Sequence, residues 1–223
     1  MPSKGRIEAQ TLYANILEEI KLRIANINHC TMGFSGLTPP FVKEVCYLQI
    51  RMICELVAMG CLAAHGDIKG SNSSNLRSFW SAADIMNALE KLHPHFYPQP
   101  IKQTRTASGI HIEAVDSALA KSDFLAMYGK CGDALHRGNI KKLLKGQFPN
   151  QINYPEITTK AQLFIDLLSN HMLVMHTGEQ AFLAMLYNSD NQGRVQVAIV
   201  ETPKGSPMDF KSPDFLRGPP SET

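Results

Sequence analysis

The 223-residue chain lacks the short motifs that usually name an activity. It has no Cys-x-x-Cys pair, no His-Glu-x-x-His, no phosphate-binding glycine loop, no dinucleotide fingerprint and no Gly-x-Ser-x-Gly elbow. Charge is also sparse, at 19 % of residues, and the formal net charge is only +2. That excludes a polyanion, a polycation and a wholly disordered chain. The five cysteines (Cys30, Cys46, Cys54, Cys61 and Cys131) are odd in number, and three of them fall inside one apolar stretch, where cysteine behaves as a small hydrophobe. A disulfide framework and a zinc site are therefore not expected, and a reducing, cytoplasmic setting fits best. The N-terminal residues Met1 to Glu8 carry no apolar core of a secretory signal. The longest apolar stretch, Val45 to Ala64, is interrupted by Gln49, Arg51 and Glu55, and each charge at that depth would cost roughly 2.5–3.5 kcal/mol in a bilayer. A buried helix of a soluble bundle is expected there, and no membrane partner.

With 44 % hydrophobic residues the chain can bury a sizeable core. Tyr13, Ile16, Ile20, Ile24 and Ile27 recur at helical spacing between Arg6 and about Asn28, with Glu19 and Arg23 placed as an i,i+4 pair on the wet side. Cys30 to Leu37 reads as a loop, and Thr38-Pro39 as the start of an apolar helix reaching about Ala64. Gly66 to Ser78 reads as a mobile loop. Ser81 and Asp84 have capping-box spacing, and Trp80 and Ile85 the spacing of a hydrophobic staple, for a helix to Leu92. Short runs at Ile101–Thr106 and Ile110–Val115 suggest a hairpin. A helix from Ser122 carries Phe124, Met127, Tyr128, Cys131 and Leu135 on one face, and a short basic turn is expected from Ile140 to Lys145. Gln147 to Pro155 reads as loop, and Thr159 with Gln162 as the capping box of a helix to about Asn170. The clearest hairpin joins Ala181–Asn188 to Arg194–Glu201, with a third strand near Met172–Met175.

The expected fold is mainly α within an α+β class: a four- or five-helix bundle with a small C-terminal antiparallel β-hairpin, about residues 172–201, in a single domain over residues 1–201. Five of the thirteen prolines fall after Glu201, so residues 202–223 are expected to be a disordered tail. Its Ser206-Pro-Met-Asp-Phe210 and Ser212-Pro-Asp-Phe215 repeats resemble a short docking motif.

Cations are concentrated in two stretches. Lys91 to Ile112 holds Lys91, Lys102 and Arg105, and Ala134 to Pro155 holds Arg137, Lys141, Lys142 and Lys145, neither with an acid. These carry +7, so the rest of the chain sums to −5 against the total of +2. Phe96, Tyr97, Phe148 and Tyr154 are interleaved with them, a composition that suits phosphates with bases to stack. The nucleic-acid-binding candidates are thus Arg137, Lys141, Lys142 and Lys145, with Lys102 and Arg105 as a second patch. His93 and His95 flank Pro94 without a third metal ligand in view, so no metal site and no cofactor are expected. In Tyr128–Asn139, Gly129, Gly132 and His136 fall along one helix flank, where two glycines cost roughly 2 kcal/mol of propensity. A close crossing or a ligand at the backbone would justify that cost, with His136 as a candidate acid or base.

The apolar helix Arg51-Met-Ile-Cys-Glu55 through Cys61, followed by Tyr128…Leu135-His136, resembles the HEPN-superfamily helical bundles. Members often bind or cut RNA, commonly as dimers, in bacterial defence and mobile-element settings. In catalytic members an arginine precedes the histidine by four to six intervening residues. Here Lys130 stands five intervening residues before His136, and Arg137 follows it. The resemblance spans the helices between Thr38 and Asn139 and implies a homodimer. The leading expectation is a non-catalytic nucleic-acid-associated protein, of bacterial or mobile-element type, taking RNA or DNA. One alternative is a metal-independent ribonuclease in which His136 assists the 2′-hydroxyl and Lys130 or Arg137 steadies the phosphate. Another is a helical protein-interaction module.

Overall fold

The computed structural model describes residues 4–65, 79, 81–106, 109–135, 152–176, 178–189 and 192–201. Helix α1 (Lys4–Thr31) buries Tyr13, Leu17, Ile20, Ile24, Ile27 and Cys30, a stripe recurring every three or four residues. It runs about three residues past the expected end. The chain then reverses through Gly33 and Gly36, at φ 83° and 67°, left-handed positions open to glycine at little cost. Helix α2 (Pro39–Ala64) begins where Thr38-Pro39 predicts, with Thr38 in extended backbone. It buries residues on most of its circumference and is the central helix of the fold. By length and composition alone it could cross a membrane, but 56 % of its most apolar window is buried by the protein itself.

Helix α3 (Ala82–Leu92) has the expected bounds, although Ser81 makes no side-chain cap. Strands β1 (Gln99–Thr106) and β2 (Gly109–Ala114) form the middle hairpin, and helix α4 (Lys121–Leu135) buries Phe124, Met127, Tyr128 and Cys131. Helix α5 spans Tyr154–Leu168, its cap six residues earlier than the Thr159 box predicts. Its cap is Asn153, whose side-chain oxygen accepts from the Glu156 N–H at 3.0 Å, and Pro155 sits in the first turn. Asn153-Tyr-Pro-Glu156 is thus the start signal, and Thr159 lies inside the helix. Strands β3 (Asn170–Val174), β4 (Gln180–Asn188) and β5 (Arg194–Glu201) follow.

The fold is mixed α+β, with five helices among the described residues and one five-stranded antiparallel sheet, ordered β2-β1-β3-β4-β5. The sheet is larger than the expected C-terminal hairpin, because Gln99 and Pro100 of β1 pair with Met172 and His171 of β3. The period of two sends alternate side chains to opposite faces. Leu173, Phe182, Ala184 and Leu186, with the partly buried Val195, Val197 and Ile199, join the helices in the main core. Met172, Val174, Ala181 and Leu183 form a smaller cluster with Ile101 on the other face.

Helix α1 also guards the β5 edge. Its Gln10 side chain donates to the Val197 carbonyl at 2.6 Å, Lys21 donates to the Gly193 carbonyl at 2.6 Å, and Glu18 accepts from the Val195 N–H at 2.7 Å. Polar side chains of α1 thereby take the place of a sixth strand, which satisfies edge groups that would otherwise invite pairing. Burial works against the Glu18 charge, but Lys21 and the Val195 N–H outweigh it and hold the carboxyl below its ordinary range.

Three buried histidines fasten sheet to helices. His171 on β3 donates from Nδ1 to the Leu168 carbonyl at 2.9 Å, so its Nε2 accepts from the Tyr13 hydroxyl of α1 at 2.6 Å. Nε2 of His65, at the end of α2, and Nε2 of His93 lie 3.1 and 2.9 Å from the Val174 carbonyl. They occupy it beyond the point where β1 leaves β3. Burial, the dominant cause, lowers both His171 and His93 to about 4.

Candidate functional site

Helix α2 meets α4 and α5 along a half-buried polar seam. Tyr47, Arg51 and Glu55 recur every four residues on α2, so they share one flank. Arg51 donates from Nε to Glu55 at 3.1 Å and from Nη2 to the Tyr128 hydroxyl of α4 at 3.1 Å, and Tyr128 donates to Glu55 at 3.2 Å. The Arg51 guanidinium also lies over the Tyr128 ring, 4.8 Å from its centroid. Gly132 faces the same guanidinium: a Cβ at that position would stand 3.4 Å from Arg51 Nη1, an ordinary contact. Gly129, by contrast, faces open space.

The second half of the seam joins α2 to α5. Tyr47 donates to Glu156 at 3.2 Å, and Lys160 is ion-paired to the same carboxylate and lies 5.6 Å from the Tyr47 ring centroid. The hydrogen bond from Lys160 is the largest cause holding Glu156 below its ordinary range, and Lys130 adds to it from α4. Burial, then the Glu156 charge, pushes Tyr47 up to about 12. Burial likewise raises Cys131 to about 11, although Lys160 and Arg51 pull the other way. Tyr128 is raised by burial and by Glu55, against Arg51 and a hydrogen bond from Ser81. These four groups are far from neutral pH: the hydroxyls and the thiol keep their protons, and the Glu156 carboxylate stays charged. The seam's phenols and glutamates hold the Arg51 and Lys160 cations in place.

The cations singled out by the sequence pattern fall in different places. Lys130 is exposed on α4, on the side away from the Phe124–Cys131 stripe, and reaches only the field of Glu156. Lys102 is exposed on β1, and Arg105 lies near the end of that strand. His136, Arg137, Lys141, Lys142 and Lys145 lie outside the described residues, as do the Trp80 staple, the Gly66–Ser78 loop and the tail after Glu201. The pairing of Arg51 with Glu55 is legible from its spacing. The Glu156–Lys160 pair, which the sequence reading misses, carries the same i,i+4 signal. No local pattern announces that Tyr128 and Tyr47 complete the two halves, since each bonds to a partner on a helix distant in sequence.

A cleft of about 410 Å³ opens between the α3–β1 and β2–α4 connections. Met172 and Val174 floor it, and His95, Asp116 and Lys121 stand among its walls. Lys121 is ion-paired to Glu90. Among the described residues no group of three or more His, Cys, Asp or Glu side chains is placed to hold a metal ion. Both ring nitrogens of His65 and His171, and Nε2 of His93, lie instead against carbonyls or Tyr13.

No family model, curated protein or solved structure matches this chain, so the likeness to HEPN bundles is neither supported nor contradicted by the comparisons.

Proposed function

We propose that the chain is a nucleic-acid-associated binding protein that does not itself cleave. The observation that carries this reading is the commitment of the seam's cations together with the exposure of Lys130. Arg51 and Lys160 are each neutralised by a carboxylate within the fold. Lys130 faces solvent on α4 a few residues before the acid-free run Ala134–Pro155, which carries Arg137, Lys141, Lys142 and Lys145. Phosphate binding is therefore assigned to Lys130 and the acid-free basic run that follows it in the sequence rather than to the seam. Lys102 and Arg105 on β1 are a second contact. The absence of a seam hydroxyl, thiol or Glu156 carboxyl tuned near pH 7 favours binding over proton transfer.

Retention of labelled single-stranded RNA and of single- and double-stranded DNA, measured by fluorescence anisotropy, tests this. Affinity should fall steeply as salt rises, by about one released counterion per phosphate contact. Changing Lys141, Lys142 and Lys145 together to Glu should abolish retention, and Lys130→Glu should weaken it. No binding of any of the three by the wild type at low salt would overturn the proposal.

A further inference from the structure

The five cysteines are all free and all enclosed, the ordinary fate of a small apolar side chain. Two of them touch. Cys46 on α2 donates its thiol hydrogen to the sulfur of Cys30 on α1. The packing of the two helices brings this about. They run antiparallel, since Tyr13 packs on Gly60 and Arg23 bonds to Gln49 at 2.9 Å, one set of residues rising as the other falls. In that register Cys46 lies about one turn farther from the α1–α2 reversal than Cys30 does. On every helix the Cα–Cβ bond leans towards the N-terminus. On an antiparallel pair with this offset, the two thiols therefore lean towards one another. Cys54 and Cys131 also influence each other, through charge, across α2 and α4.

We infer that Cys30 and Cys46 form a site of reversible oxidation, at which hydrogen peroxide converts the two thiols to a disulfide that staples the end of α1 to α2. Cys30 is the thiol that peroxide meets first. It lies in the last turn of α1, is 4 % exposed where Cys46 is fully enclosed, and is followed at once by the exposed Met32, Gly33 and Phe34 of the reversal. Burial, then the charge and the hydrogen bond of Cys30, keep the proton on Cys46 up to about 12. Cys46 is thus the donor, and Cys30 offers the lone pair. Once deprotonated, the Cys30 sulfur attacks one peroxide oxygen, which breaks the O–O bond, forms an S–O bond and releases hydroxide. The Cys46 sulfur then attacks the sulfenic sulfur. The S–S bond forms, the S–O bond breaks, and the oxygen leaves as water with the Cys46 proton. The two thiols lose two electrons and two protons in all, and peroxide is reduced to two waters. The bond closes Thr31–Val45 into a ring, which restricts the unfolded chain and so favours the folded one. The site shares no residue with the basic run, so it stands or falls independently of nucleic-acid binding.

The test treats the reduced full chain with hydrogen peroxide, alkylates what remains, and maps tryptic peptides without reductant. Trypsin leaves Cys30 on Ile24–Lys43 and Cys46 on Glu44–Arg51, with the other three thiols on different peptides, so the link is read directly. The folded protein should give these two peptides joined and two hydrogens lighter than the free pair, and dithiothreitol should separate them. Its melting temperature should rise by about 5–10 °C on oxidation. Cys46→Ala should abolish the link and leave Cys30 as a sulfenic acid that dimedone labels, whereas Cys30→Ala should abolish both link and label. Should either variant misfold, the wild type in concentrated urea serves instead. There the preference for Cys30–Cys46 should give way to the closer-spaced Cys46–Cys54 and Cys54–Cys61 pairs, which close shorter loops. Folded protein in which peroxide leaves all five thiols reduced, or links Cys54 to Cys131 first, would overturn the inference. So would a preference for Cys30–Cys46 that is the same in urea, or a link that leaves the melting temperature where it was.

Discussion

The helix–sheet junction and the α2–α4–α5 seam both bury polar groups, but they do so in opposite ways. At the junction the groups are imidazoles and a phenol, enclosed almost completely and bonded to carbonyls and to Tyr13, with His171 and His93 kept neutral at pH 7 by burial. At the seam they are ions, partly open to water, with Arg51 and Glu55 at 26 % and 19 % side-chain exposure. Neutral pairs can be fully enclosed because their desolvation cost is modest once each hydrogen bond is made. Charged pairs remain near water because deeper burial would cost more than their attraction returns. The junction is therefore expected to govern stability, and the seam to contribute little to it.

Acidification should separate the two regions most strongly. His171 and His93 sit at about 4 in the folded protein, against an ordinary value near 6.5 once unfolded. The unfolded chain thus binds more protons between those values, so stability is complete above about pH 6.5 and is lost as pH falls towards 4. Each histidine contributes up to about 3 kcal/mol over that window. Urea unfolding at pH 7 and at pH 4.5 measures the loss, and equal midpoints would contradict the assignment.

His171→Leu should come next. It leaves the Tyr13 hydroxyl and the Leu168 carbonyl unpaired in the interior, at a cost of about 3 kcal/mol, and it should flatten about half of the acid dependence, His93 carrying the other half. Gly60→Ala should cost about 1–3 kcal/mol, because a Cβ there would stand 2.9 Å from the Tyr13 ring, which His171 holds in place. The smallest effects come from a matched pair of deletions. Tyr13→Phe removes a hydroxyl at the junction and should cost about 1–2 kcal/mol, whereas Tyr128→Phe removes one at the seam and should cost under about 1 kcal/mol. Equal losses in the two would erase the distinction between the regions.

Much of this arrangement is legible in the residues. The Tyr13–Ile27 stripe, the Thr38-Pro39 start of α2 and the alternation in β5 are local signals, and each specifies its element with a neighbour's help only at the ends. The start of α5 is obscured because Thr159-x-x-Gln162 repeats the capping spacing inside a helix that Asn153 has already capped. The joining of β1 to β3 is out of reach, since two backbone pairs at Gln99 and Pro100 leave no mark in either strand's pattern. The site is legible only in part for a similar reason. Arg51 and Glu55 announce themselves by spacing, but Tyr128 is 77 residues from Arg51 and only the packing of α4 on α2 brings them together.

The claim that this chain binds nucleic acid without cutting it is tested most directly by incubating wild-type and His136→Ala proteins with end-labelled single-stranded RNA. Metal-free buffer, with retention, product formation and melting temperature followed on the same samples, keeps the outcomes distinct. Intact RNA is expected with both proteins, with retention at low salt in both and at most about 1–2 kcal/mol less stability in the variant if a buried hydrogen bond is lost. Metal-independent cleavage by the wild type, falling roughly 10²-fold or more in His136→Ala at unchanged melting temperature, would contradict it and establish the ribonuclease reading in its place.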